Sequence, residues 1–283
     1  MKLKNNEAEI YIPNGIDENS ALSRTTSLCI AAHQDDIEIM AYGAIVDCYD
    51  NADQWFTGVV VTDGAGSPRS GIYGKYTDEE MKKIRIQEQK LASDIGRYSA
   101  QLLLSYPSSE VKNAKNDAVV NELAEIIEQC NPEIVYTHNL ADKHDTHVAV
   151  ALRTISALRK LPKVKLPQKV YSLEVWRGLD WLRDEDKSVF DTSKHPNLAA
   201  ALLGVYDSQI AGGKRYDLAA LGRRTANATF FASHDVDESD SISYGLDITD
   251  LVYDKSIIPK EFLNDYIENF KKEIGDRIGR FSL

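Results

Sequence analysis

The sequence lacks the marks of disulfide-bonded, secreted and membrane-spanning proteins. Its three cysteines, Cys29, Cys48 and Cys130, are odd in number and form no CxxC pair, so we expect neither a disulfide framework nor a cysteine-based metal site. No run approaches the roughly 20 apolar residues that a spanning helix needs. The first ten residues, MKLKNNEAEI, contain no apolar signal segment. We therefore predict a cytoplasmic location and no membrane span.

Positive charge is also scarce. The 283 residues include 33 lysines and arginines against 44 aspartates and glutamates, a formal net charge of −11 at pH 7. Proteins that coat nucleic acids need a surplus of positive charge, so we expect no nucleic-acid partner. Hydrophobic residues make up 43% of the chain and charged residues 27%, which is the composition of an ordinary globular protein.

Short apolar runs alternate with amphipathic helical patterns in the first half of the chain. The runs are Leu28–Ala32, Phe56–Thr62, Gln101–Ser105 and Glu133–His138. One of the helical patterns between them opens with a capping box at Thr77 to Glu80. Short strands that are apolar throughout are typical of a parallel sheet covered by helices on both faces. We therefore predict an α/β fold with a Rossmann-like, doubly wound, mostly parallel sheet.

The second half is less regular. After Pro162 it contains one strand-like stretch, QKVYSLEVW, and three helical patterns, near Asn197–Tyr206, Tyr216–Asn227 and Pro259–Arg277. No repeat or low-complexity linker divides the chain. We expect a single domain over residues 1–283, with a core over about 27–160 and an irregular C-terminal extension over 161–283 that shapes the ligand cleft.

Two dense polar clusters follow predicted strands. The tract His33–Glu38, HQDDIE, comes directly after the first run, and His144–His147, HDTH, follows the run that ends at His138 and opens a helix. In an open α/β sheet, ligands bind at the carboxyl ends of the strands. We therefore expect the two clusters to share one edge of the sheet.

The residue types in these clusters favour a catalytic metal site. Two imidazoles and one carboxylate, with a position left for water, are the ligands of a catalytic zinc ion, and His33, Asp36 and His147 supply that set. Asp35 would take a proton from the activated water, and His144 would act as the acid on the leaving group. A lone His-x-x-Asp tract is more often a helix cap than a metal site. The coincidence of two such clusters is what favours the metal.

The two clusters also resemble the signature elements of the PIG-L (LmbE-like) family of metal-dependent N-deacetylases. AAHQDDIE is similar to the family's A-H-P-D-D-E-type element, and THNLADKHDTHVAV is similar to its second, H-x-D-H-x-A-V element. Between them, VVVTDG at 59–64 and RIQE at 85–88 are similar to the family's T-D-G and R-x-x-E elements. The resemblance covers about residues 27–155.

The resemblance implies a hydrolase that removes an acetyl group from an N-acetylated amino sugar, usually N-acetylglucosamine in a conjugate. It implies Zn²⁺ or another divalent metal as cofactor and attack of a metal-bound water on the amide. By position in the motifs, His33, Asp36 and His147 are the metal ligands, Asp35 the general base, His144 the histidine that assists at the leaving amine, and Arg85 a substrate contact.

The sequence departs from the family pattern at three places. Gln34 replaces the usual proline of the first element, and YPSS at 106–109 lacks the aspartate that relatives often show after Tyr-Pro. In the second element, Asp145 occupies the usual proline position and Thr146 stands where the family has an aspartate. In relatives that aspartate tunes the neighbouring histidine, so its loss is expected to lower the pKa of His144 unless Asp145 substitutes for it.

Two other functions remain as alternatives. One is an amidohydrolase that acts on a non-sugar amide. The other is a metal-binding but catalytically silent relative, in which Thr146 marks the loss of the acid function. The aglycone, the metal and the oligomeric state, including a homo-oligomer, are left open by the sequence.

Overall fold

An eight-stranded, mostly parallel sheet forms the centre of the part of the chain that the structure describes. The structure is a computed structural model, and it describes residues 1–232 and 234–282. The strands are β1 (Glu9–Tyr11), β2 (Ser27–Ala31), β3 (Phe56–Thr62), β4 (Ala100–Tyr106), β5 (Ile134–His138), β6 (Lys169–Leu173), β7 (Ser188–Asp191) and β8 (Ile242–Asp247). Their order across the sheet is β1-β4-β3-β2-β5-β6-β8-β7. The predicted α/β class is confirmed.

The direction of winding reverses between β2 and β5. Strands β4, β3, β2, β5 and β6 are parallel, and from β2 the chain moves outward through β3 to β4 before it returns to β5 on the other side. Strands β1, β8 and β7 join antiparallel at the two edges. Such a reversal opens a crevice at the carboxyl ends of the central strands, where ligands bind.

Helices cover both faces of the sheet. In chain order they are α1 (Glu18–Ser23), α2 (Asp36–Met40), α3 (Tyr42–Tyr49), α4 (Asp78–Ile95), α5 (Ser108–Lys112), α6 (Ala118–Cys130), α7 (Asp145–Lys160), α8 (Pro196–Gly204), α9 (Asp207–Ile210), α10 (Tyr216–Phe231), α11 (Thr249–Tyr253) and α12 (Pro259–Phe281). Leu28 and Ile30 of β2 belong to one hydrophobic cluster, and Cys29 and Ala31 to a second. Successive side chains of a strand point to opposite faces, so the sheet has a core on each side.

The helical pattern after β2 is interrupted. The sequence predicts one helical face from Ile37 to Cys48, but the structure divides it into α2 and α3 at Ala41. Arg224 of α10 donates to the carbonyl oxygens of Glu38 (2.6 Å) and Ile39 (3.0 Å), which would accept from residues 42 and 43 in a continuous helix. The prediction of a single helix is wrong because a side chain that is remote in sequence takes over these carbonyls.

The C-terminal extension contributes three strands to the same sheet. β6 lies beside β5, and β8 and β7 follow it to the edge. β7 and β8 gave no clear signal in the sequence, and the exposure of β7 alternates as expected for an edge strand. The three predicted helices form as α8, α10 and α12. Within the described residues, no helix is both long and apolar enough to cross a membrane.

The capping box of α4 gives a test of local stability. The Glu80 backbone N–H donates to Thr77 Oγ1 (3.3 Å), and the Thr77 backbone N–H donates to Glu80 Oε2 (2.8 Å). We expect Thr77→Ala to lower the free energy of unfolding by about 1 kcal/mol, measured by urea denaturation. The matched control is Thr225→Ala in α10, where the exposed hydroxyl bonds only to the Leu221 carbonyl (3.0 Å). An equal loss in both variants would contradict the role of the cap.

Candidate metal centre and active site

The two polar clusters meet at the carboxyl ends of β2 and β5, at the point where the winding reverses. The tract His33–Glu38 forms the turn after β2 and the start of α2, while His144 and His147 lie at the start of α7. In residues 1–232 and 234–282, two groups of side chains are spaced for a metal ion: His33, His144 and His147, and Asp36, His138 and His147. The structure thus brings together the residues that the sequence placed in one site.

Three atoms of the predicted ligands form a nearly equilateral triangle. His33 Nδ1 lies 3.2 Å from Asp36 Oδ2 and 3.2 Å from His147 Nε2, and the latter two atoms are 3.3 Å apart. A tetrahedral ion at about 2.0–2.1 Å from its ligands separates them by roughly 3.3–3.4 Å. The side chains therefore fit a divalent ion of the size of zinc.

His138 is also close to Asp36, but its Nε2 already accepts a hydrogen bond. Its Nε2 lies 3.5 Å from Asp36 Oδ2, and its ring stacks on His147 at 4.0 Å. The Ala32 backbone N–H donates to the same Nε2 at 2.8 Å. Burial and the neighbouring His147 lower the pKa of His138 well below its ordinary value, so the ring is neutral. His138 packs against the centre, and the set with His33 is the better ligand set.

The buried charge of Asp36 calls for a positive charge beside it. Burial raises the pKa of Asp36, but His147 and His138 outweigh this effect and hold it well below its ordinary range. Burial alone would lower the pKa of His147. The negative charges of Asp36 and Asp142 have the larger effect and raise this pKa to about 10. A buried carboxylate is tolerated only with a compensating charge, and either a proton on His147 or a divalent ion supplies it.

Asp35 lies beside the ligand triangle and lines the cleft. Its backbone has φ 89°, a strained conformation for a residue other than glycine. Its N–H donates to Gln89 Oε1 (3.3 Å), and Arg85 Nη1 lies 3.5 Å from its Oδ2. Burial raises the pKa of Asp35 to about 8, although Arg85 lowers it. A carboxyl group that titrates near neutrality is suited to accept a proton.

A buried polar network holds the turn that carries Asp35. Glu38 is fully buried and accepts hydrogen bonds from Tyr98 Oη (2.7 Å), Tyr206 Oη (2.6 Å) and Gln89 Nε2 (2.9 Å). Gln89 in turn binds the backbone of Asp35. No pattern in the sequence indicates this network, because its members come from α2, α4, the segment after α4 and the segment before α9.

His144 lies on the open side of the ligand triangle. Its ring centroid is 5.0 Å from His33, 4.6 Å from His147 and 6.0 Å from Trp176. Burial, followed by the charges of His147 and His33, lowers the pKa of His144. The sequence predicted a lowered pKa of His144, because Thr146 replaces the family's aspartate. Asp145, which was considered as a substitute for that aspartate, is exposed.

Asp142 is a carboxylate that the sequence analysis missed. It is buried, and it accepts from the backbone N–H of His144 (2.9 Å) and of Trp176 (3.0 Å). Its Oδ2 lies 3.5 Å from Nδ1 of His147, the ring nitrogen opposite the ligand atom. A carboxylate in this position orients a ligating imidazole and raises its basicity. The spacing Asp-x-His-x-x-His, read back from His147, could have identified it.

The centre opens into a cavity of about 420 Å³. Its walls include the loop residues Gly64, Gly66 and Ser67, and the side chains of Arg85, Lys112, Trp176, Lys214 and Tyr216. A second cavity of about 170 Å³ shares Ile39, Trp176 and Tyr216 with the first and continues along Val175, Ala219 and Ala220. The first half of the chain therefore supplies the candidate ligands and Asp35, and the extension supplies much of the wall.

Arg85, the predicted substrate contact, lies against the turn that carries Gln34 and Asp35. It is buried, it lines the larger cavity, and it donates to the backbone carbonyl of Gln34. Gln34 is itself buried, and its side chain lies over Gly64, where an added Cβ would come within 2.4 Å of Gln34 Oε1. With φ +74°, Gly64 also needs a backbone conformation that favours glycine. Arg85, which belongs to α4, therefore holds the turn by a hydrogen bond to its backbone and also lines the cleft.

Comparisons with known proteins point to one family. Residues 28–158 match the PIG-L family model, described as GlcNAc-PI de-N-acetylase. The chain has no significant match among curated proteins.

Several solved structures share the fold. The conserved protein TT1542 from Thermus thermophilus has a TM-score of 0.63 and 16% identity, covering 79% of this chain and 94% of that one. The N,N'-diacetylchitobiose deacetylase from Pyrococcus horikoshii has a TM-score of 0.63 and 15% identity, covering 86% and 90%. GalB, a 4-carboxy-2-hydroxymuconate hydratase from Pseudomonas putida, has a TM-score of 0.61 and 17% identity, covering 79% and 96%. At identities of 15–17%, these similarities show a shared fold and do not assign a function.

Asp142 gives a test of the metal centre that does not depend on activity. We expect Asp142→Asn to weaken binding of Zn²⁺ about 10- to 100-fold, because the imidazole of His147 loses its carboxylate. Competition with a chelating dye measures the affinity. Asp145→Asn, in the same segment but exposed, is the matched control and should bind like the unaltered protein. Equal affinities for all three proteins would remove Asp142 from the centre.

Proposed function

We propose that this chain, whose residues 28–158 match the PIG-L family model, is a metal-dependent N-deacetylase of an N-acetylglucosamine conjugate. The proposed ligands of a Zn²⁺ or similar divalent ion are His33, Asp36 and His147. The observation that carries the proposal is the triangle of their donor atoms, with sides of 3.2, 3.2 and 3.3 Å, beside a cavity of about 420 Å³.

A divalent ion held there supplies Lewis-acid chemistry, lowering the pKa of a water and polarising the amide carbonyl. Asp35 accepts the proton of the attacking water. Its carboxyl group lines the cavity and titrates near neutrality because it is buried. The strained turn, held by Gln89 and Arg85, keeps this group beside the ligands without letting it join them.

His144 assists the departing amine. Its lowered pKa keeps the imidazole neutral near pH 7, so its N–H stabilises the tetrahedral intermediate by a hydrogen bond. The proton that Asp35 took from water then passes to the amine nitrogen, which leaves as the free amino sugar while acetate remains. The neutral ring does not need the carboxylate that Thr146 replaces, which supports an active enzyme over a silent relative.

The walls of the cleft favour a sugar that carries an apolar group. Trp176 and Tyr216 stand edge to face, with ring centroids 6.0 Å apart, between the two cavities. Trp176 also lies 6.0 Å from His144, where the amine leaves. A sugar held at the larger cavity would therefore direct its substituent past Trp176, into the smaller cavity along Val175, Ala219 and Ala220. We propose an amino-sugar conjugate with an apolar aglycone as substrate.

The adjacent aspartates provide a matched test of the chemistry. We expect Asp35→Asn to keep one bound divalent ion per chain and to lose about 10²- to 10⁴-fold in kcat for acetate release, because the proton acceptor is gone. Asp36→Asn should lose the ion itself. Elemental analysis and an acetate assay on N-acetylglucosamine glycosides measure both effects. Full turnover in Asp35→Asn would contradict the assignment of Asp35 as the general base. If the unaltered protein binds no divalent ion, the proposed metal site is wrong.

The second cavity predicts a preference among glycosides. We expect kcat/KM for the phenyl glycoside of N-acetylglucosamine to exceed that of the methyl glycoside about tenfold, because the ring is removed from water. Ala219→Trp should abolish the preference, and Leu218→Trp, at an exposed neighbouring position, should not. Equal rates for the two glycosides would contradict the apolar aglycone. Acetate released only from non-sugar amides would favour the alternative amidohydrolase.

A further inference from the structure

The walls of the larger cavity carry more positive than negative charge. Apart from histidines, the charged side chains that line it in the described part of the chain are Asp35, Asp36, Arg85, Lys112 and Lys214. Asp36 belongs to the candidate metal centre, and Asp35 Oδ2 already faces Arg85 Nη1 at 3.5 Å. The charges of Lys112 and Lys214 therefore remain for a ligand.

Neither lysine has a carboxylate partner within the protein. In residues 1–232 and 234–282, no carboxylate oxygen lies within 4.0 Å of Nζ of Lys112 or Lys214. Lys82 of α4, by contrast, contacts carboxylate oxygens of Glu79 (2.9 Å) and Asp63 (3.5 Å). The protein as a whole has a formal net charge of −11. A cleft whose walls carry the opposite sign attracts anionic ligands, because its low-dielectric walls focus the field.

Lys112 reaches the cavity from α5. Ser108 and Lys112, four residues apart and so on one side of this helix, both line the wall. Val111 is fully buried, and its carbonyl oxygen accepts from Nε of Arg153 in α7 (3.1 Å). These contacts fix α5 with a hydroxyl and an ammonium group at the cavity. The aspartate that relatives often show after Tyr-Pro is absent here, so this wall is positive.

Lys214 reaches the cavity from the turn between α9 and α10. Its backbone N–H donates to the carbonyl oxygen of Gln209 (2.8 Å), and Nζ lies 5.1 Å from the centroid of the Trp176 ring. The preceding residue, Gly213, has φ +104°, a conformation that favours glycine. An aromatic face attracts a cation. The turn and the indole therefore hold the second ammonium group at the wall.

The two lysines line the larger cavity and not the smaller one. The charged residue of the smaller cavity, Arg223, donates to the backbone carbonyl of Val175. The proposed function puts the sugar in the larger cavity and the aglycone in the smaller one. We propose that Lys112 and Lys214 bind an anionic substituent on the sugar ring, either a phosphate or a carboxylate. The assignment to the sugar rests on the proposed function, whereas the anion site rests on the lysines.

Calorimetric titration with amino sugars that carry no acetyl group tests the anion site without turnover. The probes are glucosamine, glucosamine 6-phosphate and muramic acid, whose lactyl ether is a carboxylate. We expect at least one acidic sugar to bind about 10- to 100-fold more tightly than glucosamine, because hydrogen bonds between charged groups are stronger. Raising sodium chloride from about 0.1 M to 1 M should remove most of this difference, because salt screens accessible charges. Comparison of the two acidic sugars distinguishes phosphate from carboxylate.

Matched variants test whether the lysines hold the anion. Lys112→Gln and Lys214→Gln should each reduce the difference in affinity about tenfold, because each removes one charged donor. Lys112→Arg and Lys214→Arg should retain most of it, and this rescue separates loss of charge from loss of packing against Trp176. Lys115→Gln, exposed and outside both cavities, is the control and should bind like the unaltered protein.

The N-acetylated forms of the same sugars test the connection to the proposed function. We expect kcat/KM for acetate release from the preferred acidic sugar to exceed that for N-acetylglucosamine by the same factor as the affinity. Lysine-dependent binding of the acidic sugar without acetate release from any N-acetylated sugar would support the anion site and contradict the proposed deacetylase.

Three results would overturn the proposal. The first is equal affinity for the acidic sugars and for glucosamine. The second is a difference that persists in the double variant Lys112→Gln, Lys214→Gln, which would assign the anion to the metal ion instead. The third is a preference confined to glucosamine 1-phosphate, which would place the charge on the aglycone side.

Discussion

The arrangement of the site depends on one buried carboxylate that must be neutralised. Asp36 accepts the backbone N–H of His33 at 2.7 Å and faces imidazole nitrogens of His33, His147 and His138 within 3.5 Å. A carboxylate removed from water in this way is costly unless a positive charge stands beside it. The fold meets this requirement by joining the carboxyl ends of β2 and β5, so that histidines more than 100 residues apart in sequence reach one oxygen.

The position of this site follows from the sheet, and that part was readable from the sequence. β3 begins and ends where the apolar run predicted, and β2, β4 and β5 differ from their runs by no more than one residue at either end. These strands are buried on both faces, so apolar residues predominate along them and the runs can be recognised without knowledge of distant contacts. The capping box at Thr77 is equally local, because its two partners are three residues apart.

What the sequence did not indicate is held by contacts between distant segments. The division of α2 from α3 involves Arg224, nearly two hundred residues away, and the network around Glu38 involves Tyr206. The pattern of β7 is weak because an edge strand is only half buried. Asp142 was missed for a different reason: its partners are three backbone N–H groups and one ring nitrogen, and backbone groups leave no pattern in the sequence.

Arg224 connects the wall of the cleft to the helix that presents Asp36, one of the proposed metal ligands. α10 begins at Tyr216, which forms the wall of the cleft, and carries Arg224 two turns later, with its guanidinium on the carbonyls of the helix that starts at Asp36. A ligand that shifts α10 therefore also shifts the segment that presents Asp36. Thermodynamic linkage makes such coupling reciprocal. Through this connection, occupancy of the cleft by a ligand and occupancy of the proposed metal centre would each change the affinity of the other site.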